Sequence, residues 1–225
     1  MKNLSVVLVS GGLDSAVTTA IAAGLGEVAL LHVNYGQKTE ARELTAFSAI
    51  ADHYGVEKRF VADMRYMKAI GGSTLISSSE DIPQGDLRRE GIPSTYVPFR
   101  NAQLLGAGVG WAEAVGASSV YIGAVEEDSS GYPDCRKSFF EAYGKAIEEG
   151  TRPETFVKIV TPLIEMKKMD IVVRGLALNT PFEYTWSCYS DSNLACGRCD
   201  SCLLRLRGFK QAGSRDPIAY RDQAR

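Results

Sequence analysis

The segment CYSDSNLACGRCDSC, residues 188–202, carries four of the chain's five cysteines. Cys188, Cys196, Cys199 and Cys202 offer four thiolates, the closed tetrahedral set that structural Zn²⁺ takes. An iron–sulfur cluster uses similar spacings, and a redox Cys-x-x-Cys pair needs only two of the four. Four ligands fill a tetrahedron and leave no thiol spare for sulfur transfer, so the count favours structural zinc. Gly197 allows the tight turn between ligands. The fifth cysteine, Cys135, stands apart and reads as a small buried hydrophobe.

A second candidate lies near the N-terminus. In VLVSGGLDSA, Gly11 and Gly12 fall between an apolar run and a helical pattern, where backbone N–H groups and the positive helix end receive an anion. The Walker loop is excluded because no Gly-Lys-[Ser/Thr] ending is present, and the dinucleotide fingerprint because its third glycine is missing. The alternative is a tight strand-to-helix turn with Ser10 or Asp14 as helix cap.

Three further clusters carry chemistry. Arg100 and Asn101 stand just before a helix, where Arg100 can serve an anion or a surface salt bridge and Asn101 can cap. The stretch IGAVEEDSSGYPDCRKSFFEAY crowds Glu126, Asp128, Tyr132, Asp134 and Arg136 into one strand-to-helix connection. Its carboxylates can accept hydrogen bonds from a guanine-like base or coordinate Mg²⁺, and Arg136 can pair with a carboxylate or phosphate. The competing reading is local, with Asp134 capping the helix that follows. Lys167 and Lys168 begin a helix after Pro162, a position that opposes the dipole and invites an anionic partner, with solvent exposure as the alternative.

The elements that must position these residues alternate. Leu4 to Val9 predicts a buried strand, and from Asp14 an alanine-rich helix runs to Gly24 and Gly26. Val28 to Val33 predicts a strand, Lys38 to Tyr54 a helix and Glu57 to Ala62 a third strand. Residues 71–98 lose periodicity and gather Gly, Ser and Pro, which predicts a long, partly ordered insertion. Helices over Asn101 to Val115, Asp134 to Gly150 and Lys168 to Leu178 then alternate with strands over Ser118 to Gly123 and Val157 to Val160. The pattern predicts an α/β fold, a doubly wound parallel sheet of five strands with ligands at the strands' carboxyl ends.

At 225 residues the chain suits one core. A formal net charge of −2 lacks the basic excess of a nucleic-acid coat, no run approaches a membrane span, and the N-terminus lacks a secretory h-region. The expectations are a cytoplasmic protein with no nucleic-acid or membrane partner.

The hexad Ser10-Gly11-Gly12-Leu13-Asp14-Ser15 after a first strand resembles the pyrophosphate loop of the ATP-pyrophosphatase (PP-loop) superfamily, which has the adenine-nucleotide alpha-hydrolase fold. NYGQ after strand two, FRNAQLL, GYPDCRKSF, TPL with Lys168 six residues after Pro162, and CYSDSNLACGRCDSCLLR extend the likeness over almost the whole chain. Together they resemble the 7-cyano-7-deazaguanine synthase family, the nitrile-forming enzymes of queuosine biosynthesis. One departure is Ala16, where many pyrophosphate loops carry a hydroxyl.

The resemblance implies a ligase that converts 7-carboxy-7-deazaguanine, ammonia and ATP to 7-cyano-7-deazaguanine, releasing AMP and pyrophosphate through adenylated acid and amide intermediates. It implies catalysis by Ser10, Asp14, Ser15 and Lys168, and an ATP site of Leu8, Val9, Ser10, Gly11, Gly12, Leu13, Asp14, Ser15, Ala16, Val17, Thr18, His32 and Val33, with Mg²⁺. A lone histidine such as His32 has a satisfied structural role as its alternative. Substrate contacts are expected from Tyr35, Gln37, Arg100, Asn101, Glu126, Asp128, Tyr132, Asp134 and Arg136. A PP-loop domain over residues 1–180 would carry a zinc-binding segment over 181–225 packed on it, and the assembly would be a homodimer. Two rivals remain: a tRNA-thiolating relative, which should show basic RNA-binding surface, and a non-catalytic ATP sensor, which could dispense with the Glu126 to Arg136 cluster.

Overall fold

A computed structural model describes residues 4–126 and 131–221. The chain runs β1 (Leu4–Leu8), α1 (Leu13–Ala23), β2 (Glu27–Asn34), α2 (Glu40–His53), β3 (Arg59–Asp63), α3 (Tyr66–Ile70), α4 (Arg100–Val115), β4 (Ser119–Ile122), α5 (Lys137–Gly150), β5 (Lys158–Val160), α6 (Lys168–Ala177) and α7 (Asp200–Gln211). The five strands form one sheet in the order β3-β2-β1-β4-β5, and every pairing is parallel. The expected doubly wound sheet is therefore present. The chain winds outward from β1 through β2 to β3 and then crosses to β4, so the winding reverses between β1 and β4, where open α/β sheets bind ligands.

Strand β1 shows why the sheet is covered on both faces. Side chains alternate across a strand, and Val6 and Leu8 pack with Leu31, Leu105, Val109 and Val120 on one face. Val7 and Val9 pack with Ala16, Leu30, Phe47 and Ile50 on the other. A valine run with no polar alternation is what two buried faces require. Each fully buried Val or Leu contributes about 1.5–3 kcal/mol by leaving water. Helices α4 and α5 cover the first face, with Leu105, Ala112, Phe140 and Ile147 inward.

Three local expectations are corrected. The helix expected from Asp134 begins at Lys137, because Pro133–Cys135 form a 3₁₀ turn before it. Asp134 therefore does not cap α5; its Oδ2 accepts the N–H of Asn101, at the start of α4, at 2.9 Å. Asn101 lies inside α4, whose N-cap is Phe99, and its amide donates to the Asp134 carbonyl and the Cys135 sulfur instead of capping. Residues 71–98 form no helix or strand but are anchored: Leu75, Ile76 and Val97 are buried with Tyr35 and Met67.

The C-terminal segment is tied to the sheet domain at several points. Trp186 N–H donates to the Gly11 carbonyl at 2.7 Å. Arg205, in α7, makes a two-pronged ion pair with Asp216 at 2.7 and 2.9 Å and donates to Thr185 and the Phe182 carbonyl, all buried. Among the described residues no helix is long and apolar enough to cross a membrane.

Candidate active site

The loop between β1 and α1 sits at the reversal of the sheet. Gly11 has φ +86°, and a Cβ there would lie 2.7 Å from the Glu43 carbonyl, so only glycine lets the loop pass over α2. Gly12 is the N-cap of α1, and neither Ser10 nor Asp14 caps the helix, which corrects that alternative; the Ser187 hydroxyl lies 3.5 Å from the Leu13 N–H. The Ser10 hydroxyl instead accepts the Gly12 N–H at 3.2 Å and lies 3.2 Å from the Ser15 hydroxyl, which donates to the Gly12 carbonyl at 2.9 Å. Two hydroxyls thus flank a helix N-terminus, an arrangement that receives phosphate.

Lys168 reaches this loop from the first turn of α6. Its Nζ lies 2.8 and 2.9 Å from the two carboxylate oxygens of Asp14. The stem passes Gly208 of α7, where a Cβ would come within 2.6 Å of Lys168 Cγ, so a glycine 40 residues downstream clears its route. The anionic partner expected of a lysine at a helix start is, in the protein alone, Asp14.

Around the loop runs a cavity lined by Leu8, Val9, Ser10, Gly12, Leu13, Asp14 and Ser15, by Leu31, Val33 and Tyr35 at the end of β2, and by Ile122 to Val125 after β4. Arg100, Asn101, Leu104, Tyr132 and Cys135 form another wall, with Lys168 and Glu43. The C-terminal segment closes it with Trp186, Ser187, Tyr189, Asp200, Ser201, Leu204 and Arg205. Three strand ends, three helix starts and the tail therefore meet at one chamber.

Not every residue singled out in the sequence reaches it. Gly11 supports the loop from behind, and Ala16, Val17 and Thr18 are buried beneath it in α1. His32 takes its structural alternative: its ring nitrogens lie 2.8 Å from the Val9 carbonyl and 3.1 Å from Asn34 Oδ1, and burial holds its pKa below the usual value. Gln37 is buried behind the chamber, accepting the Tyr35 N–H and donating to Glu43. Glu126 is exposed and its carboxylate accepts the Lys137 N–H at the start of α5, while Arg136 is exposed outside the lining. Asp134 serves the start of α4 from just behind the wall, and Asp128 lies outside the described residues.

The wall residues that sequence reasoning missed are as telling. Glu43 occupies the inward stripe of α2 with Ala46, Phe47 and Ile50, a carboxylate where the pattern calls for an apolar residue, and that misfit is the signal that could have found it. Thr39 Oγ1 donates to it at 2.7 Å and Gln37 Nε2 at 3.0 Å, yet burial still raises its pKa. Burial likewise pushes Tyr35 up to about 12 and Cys135 up to about 11, and raises Tyr132 and Tyr189. Trp186 and Tyr189 flank Cys188, and only the tertiary fold brings them to the chamber.

The four C-terminal cysteines are buried, and their Sγ atoms all lie within 4.8 Å of one another. A tetrahedron with metal–sulfur bonds of about 2.3 Å has edges of about 3.8 Å, and the Cys196 and Cys202 sulfurs are 3.9 Å apart. The N–H of Cys196 points at the Cys188 sulfur and that of Cys199 at the Cys196 sulfur, each at 3.3 Å, as suits thiolate acceptors. The donor set fits a soft divalent metal. The knuckle also holds the irregular insertion: Gly85 N–H donates to the Arg198 carbonyl, and Asp200 Oδ1 and Oδ2 accept from the Asp86 N–H and from Arg89 at 2.7 and 2.9 Å.

Comparison with known proteins adds the following. The family model described as "Queuosine biosynthesis protein QueC" matches residues 4–213. The chain is 54% identical over 218 residues to a 7-cyano-7-deazaguanine synthase of Chloroherpeton thalassium, covering 96% of each. It is 56% identical over 217 residues to the protein of that name from Chlorobium phaeobacteroides, again covering 96% of each. Among solved structures it is similar to a predicted subunit of tRNA methyltransferase from Methanocaldococcus jannaschii, with a TM-score of 0.50 and 15% identity over 99% of this chain and 94% of the other. That last likeness is one of fold alone.

Proposed function

This chain belongs to the family described as queuosine biosynthesis protein QueC, and from that premise we propose that it is an ATP-dependent ligase making 7-cyano-7-deazaguanine from 7-carboxy-7-deazaguanine and ammonia. The observation that carries the reading is one chamber lined by two unlike groups of residues, a pyrophosphate loop with Lys168 and the half-buried polar side chains of Arg100, Tyr132, Tyr189 and Glu43.

Two activations at this chamber account for the chemistry. The substrate carboxylate attacks the α-phosphorus of ATP, and pyrophosphate leaves. Ammonia displaces AMP from the acyl adenylate and gives an amide. The amide oxygen attacks the α-phosphorus of a second ATP, a second pyrophosphate leaves, and loss of AMP with two protons in all leaves the nitrile. For this the protein supplies placement and fixed dipoles: the open end of α1, Ser10 and Ser15 for the departing pyrophosphate, and Lys168 for the charge that develops there. Leu31 and Val33 line the chamber and would offer backbone groups to the adenine.

Asp14 would share a Mg²⁺ with the phosphates, and such an ion supplies charge neutralisation there. Cys188, Cys196, Cys199 and Cys202 would hold a structural Zn²⁺, whose closed ligand set leaves it no part in the reaction. A thiolating reaction is disfavoured because the remaining thiol, Cys135, is pushed up to about 11 by burial and is protonated at neutral pH. ATP as substrate and a reduced thiol set fit a cytoplasmic setting.

Incubating the protein with the acid, ammonium, ATP and Mg²⁺ and following products by mass spectrometry tests the reading. The nitrile and AMP are expected, and AMP formation without any nitrile would contradict it.

A further inference from the structure

Arg100 is a cation that forms no ion pair among the described residues. Its Nη1 donates to the Tyr35 hydroxyl at 3.2 Å, its Cζ sits 5.4 Å from the Tyr35 ring centre, and its Nε is sealed from solvent with no partner. Among the described residues no carboxylate comes within ion-pairing distance of it. The titratable groups facing it are Tyr35, Tyr132, Tyr189 and Cys135, three phenols and a thiol with no carboxylate among them. Glu43 shares the wall and feels the Arg100 charge across it, but it forms no ion pair with Arg100 and takes its hydrogen bonds from Thr39 and Gln37.

The backbone is bent to place this cation. Phe99, directly before Arg100, has φ +54° and ψ +30°, a left-handed conformation that a bulky L-residue adopts only under constraint from its surroundings. The Tyr96 hydroxyl accepts the Phe99 N–H at 2.9 Å, and Asp134 satisfies the next turn of α4. A charge left unpaired in a half-buried wall, with its Nε sealed from solvent, is costly to the free protein, which points to a ligand that brings the opposite charge.

The phosphates of ATP already have the loop and Lys168. We propose that Arg100 receives the carboxylate of 7-carboxy-7-deazaguanine and thereby serves the first of the two activations and not the second. The inference rests on the synthase reading above.

One carboxylate oxygen stays on the guanidinium while the other attacks the α-phosphorus, and the bond from phosphorus to the bridging oxygen breaks as pyrophosphate leaves. Ammonia adds at the acyl carbon, the carbon–oxygen bond to AMP breaks, and one proton passes to water. The resulting amide is neutral. To attack the second ATP its oxygen must face the phosphate, which turns its NH₂, a donor, toward a guanidinium that has only donors. Arg100 thus favours the acid and offers the amide nothing comparable.

The test measures Arg100→Gln and Arg100→Lys on two substrates, the acid with ammonium and the synthetic amide of 7-deazaguanine, each with ATP and Mg²⁺. The account predicts that Arg100→Gln loses on the order of 100-fold in kcat/KM for the acid, mostly through KM, as loss of a charge-assisted pair implies. Amide turnover should fall by less than about 5-fold, because no charged contact is lost there, and its persistence also shows that the variant is folded. Arg100→Lys should recover part of the acid reaction, since it restores the charge without the fork. Equal losses on acid and amide, in either variant, would overturn the proposal by assigning Arg100 to the nucleotide or the fold, and an unchanged acid reaction would overturn it as well. If the unaltered protein makes nitrile from neither compound, the synthase reading itself fails and takes this assignment with it.

Discussion

The ammonium of Lys168 lies between the two carboxylate oxygens of Asp14, at 2.8 and 2.9 Å, and so joins the first turn of α6 to the first turn of α1. The Lys168 side chain is 8% exposed and that of Asp14 31%, so the pair meets solvent only through the Asp14 side. This places a positive charge at the mouth of the pyrophosphate loop before any nucleotide arrives. Preorganised charge of this kind acts on the transition state because it needs no rearrangement as the leaving group forms.

Lys168→Met should therefore lower turnover by about 10²–10³-fold, the scale of losing one fixed donor at a developing oxyanion, with a smaller change in the KM for ATP. Steady-state kinetics on the variant check this. A change confined to KM would mean that Lys168 only binds ATP. Thermal melting should separate Asp14→Asn, which leaves the buried ammonium without its partner, from Lys168→Met, with Asp14→Asn the less stable of the two.

The cysteine cluster predicts about one zinc per chain by elemental analysis. Strong chelation or Cys199→Ser should strongly lower the melting temperature, because structural zinc is worth roughly 10–16 kcal/mol of apparent binding energy in isolated fingers. The bonds from Arg198 and Asp200 to Gly85, Asp86 and Arg89 add a local signature: metal loss should expose residues 71–98 to limited proteolysis before the sheet domain. Visible absorbance typical of iron–sulfur, or a stable Cys199→Ser protein, would contradict the zinc assignment.

Glu43 predicts a pH dependence of stability. Burial raises its pKa in the folded chain above the ordinary 4.5, so folding favours the neutral acid. The stability it contributes is fully present below pH 4.5 and is lost as pH rises from there through the raised folded value. Glu43→Gln keeps an acceptor for Gln37 and a donor for Thr39 but cannot ionise. The variant should melt above the unaltered protein near neutral pH, with the gap closing as pH falls toward 4.5. A gap independent of pH would show that hydrogen-bond geometry, not ionisation, sets the difference.

Much of this was legible in the sequence because the signals were local. The valine run of β1, the glycines that follow it and the spacing of Cys196, Cys199 and Cys202 act within a few residues of themselves. Other features depended on contacts that no short window contains. Asp134 caps a helix 33 residues upstream, which a reading of its own neighbourhood assigned to α5. Glu126 and Arg136 stand in the densest polar stretch yet face solvent, because the 3₁₀ turn at Pro133–Cys135 points Tyr132 and Cys135 inward in their place. Tyr189 and Asp200 enter the chamber only because the knuckle folds the tail over the loop. Asp128 lies outside the described residues.

On the proposed reading, one chamber activates first an acid and then an amide, each with its own ATP. The most direct measurement is the ratio of AMP to nitrile formed from 7-carboxy-7-deazaguanine under saturating ammonium and ATP, followed to completion. The account predicts about two AMP per nitrile, one from each adenylation, with the amide seen as a transient before the nitrile when turnover is sampled early. One AMP per nitrile, or a nitrile that forms with no amide ever preceding it, would contradict it.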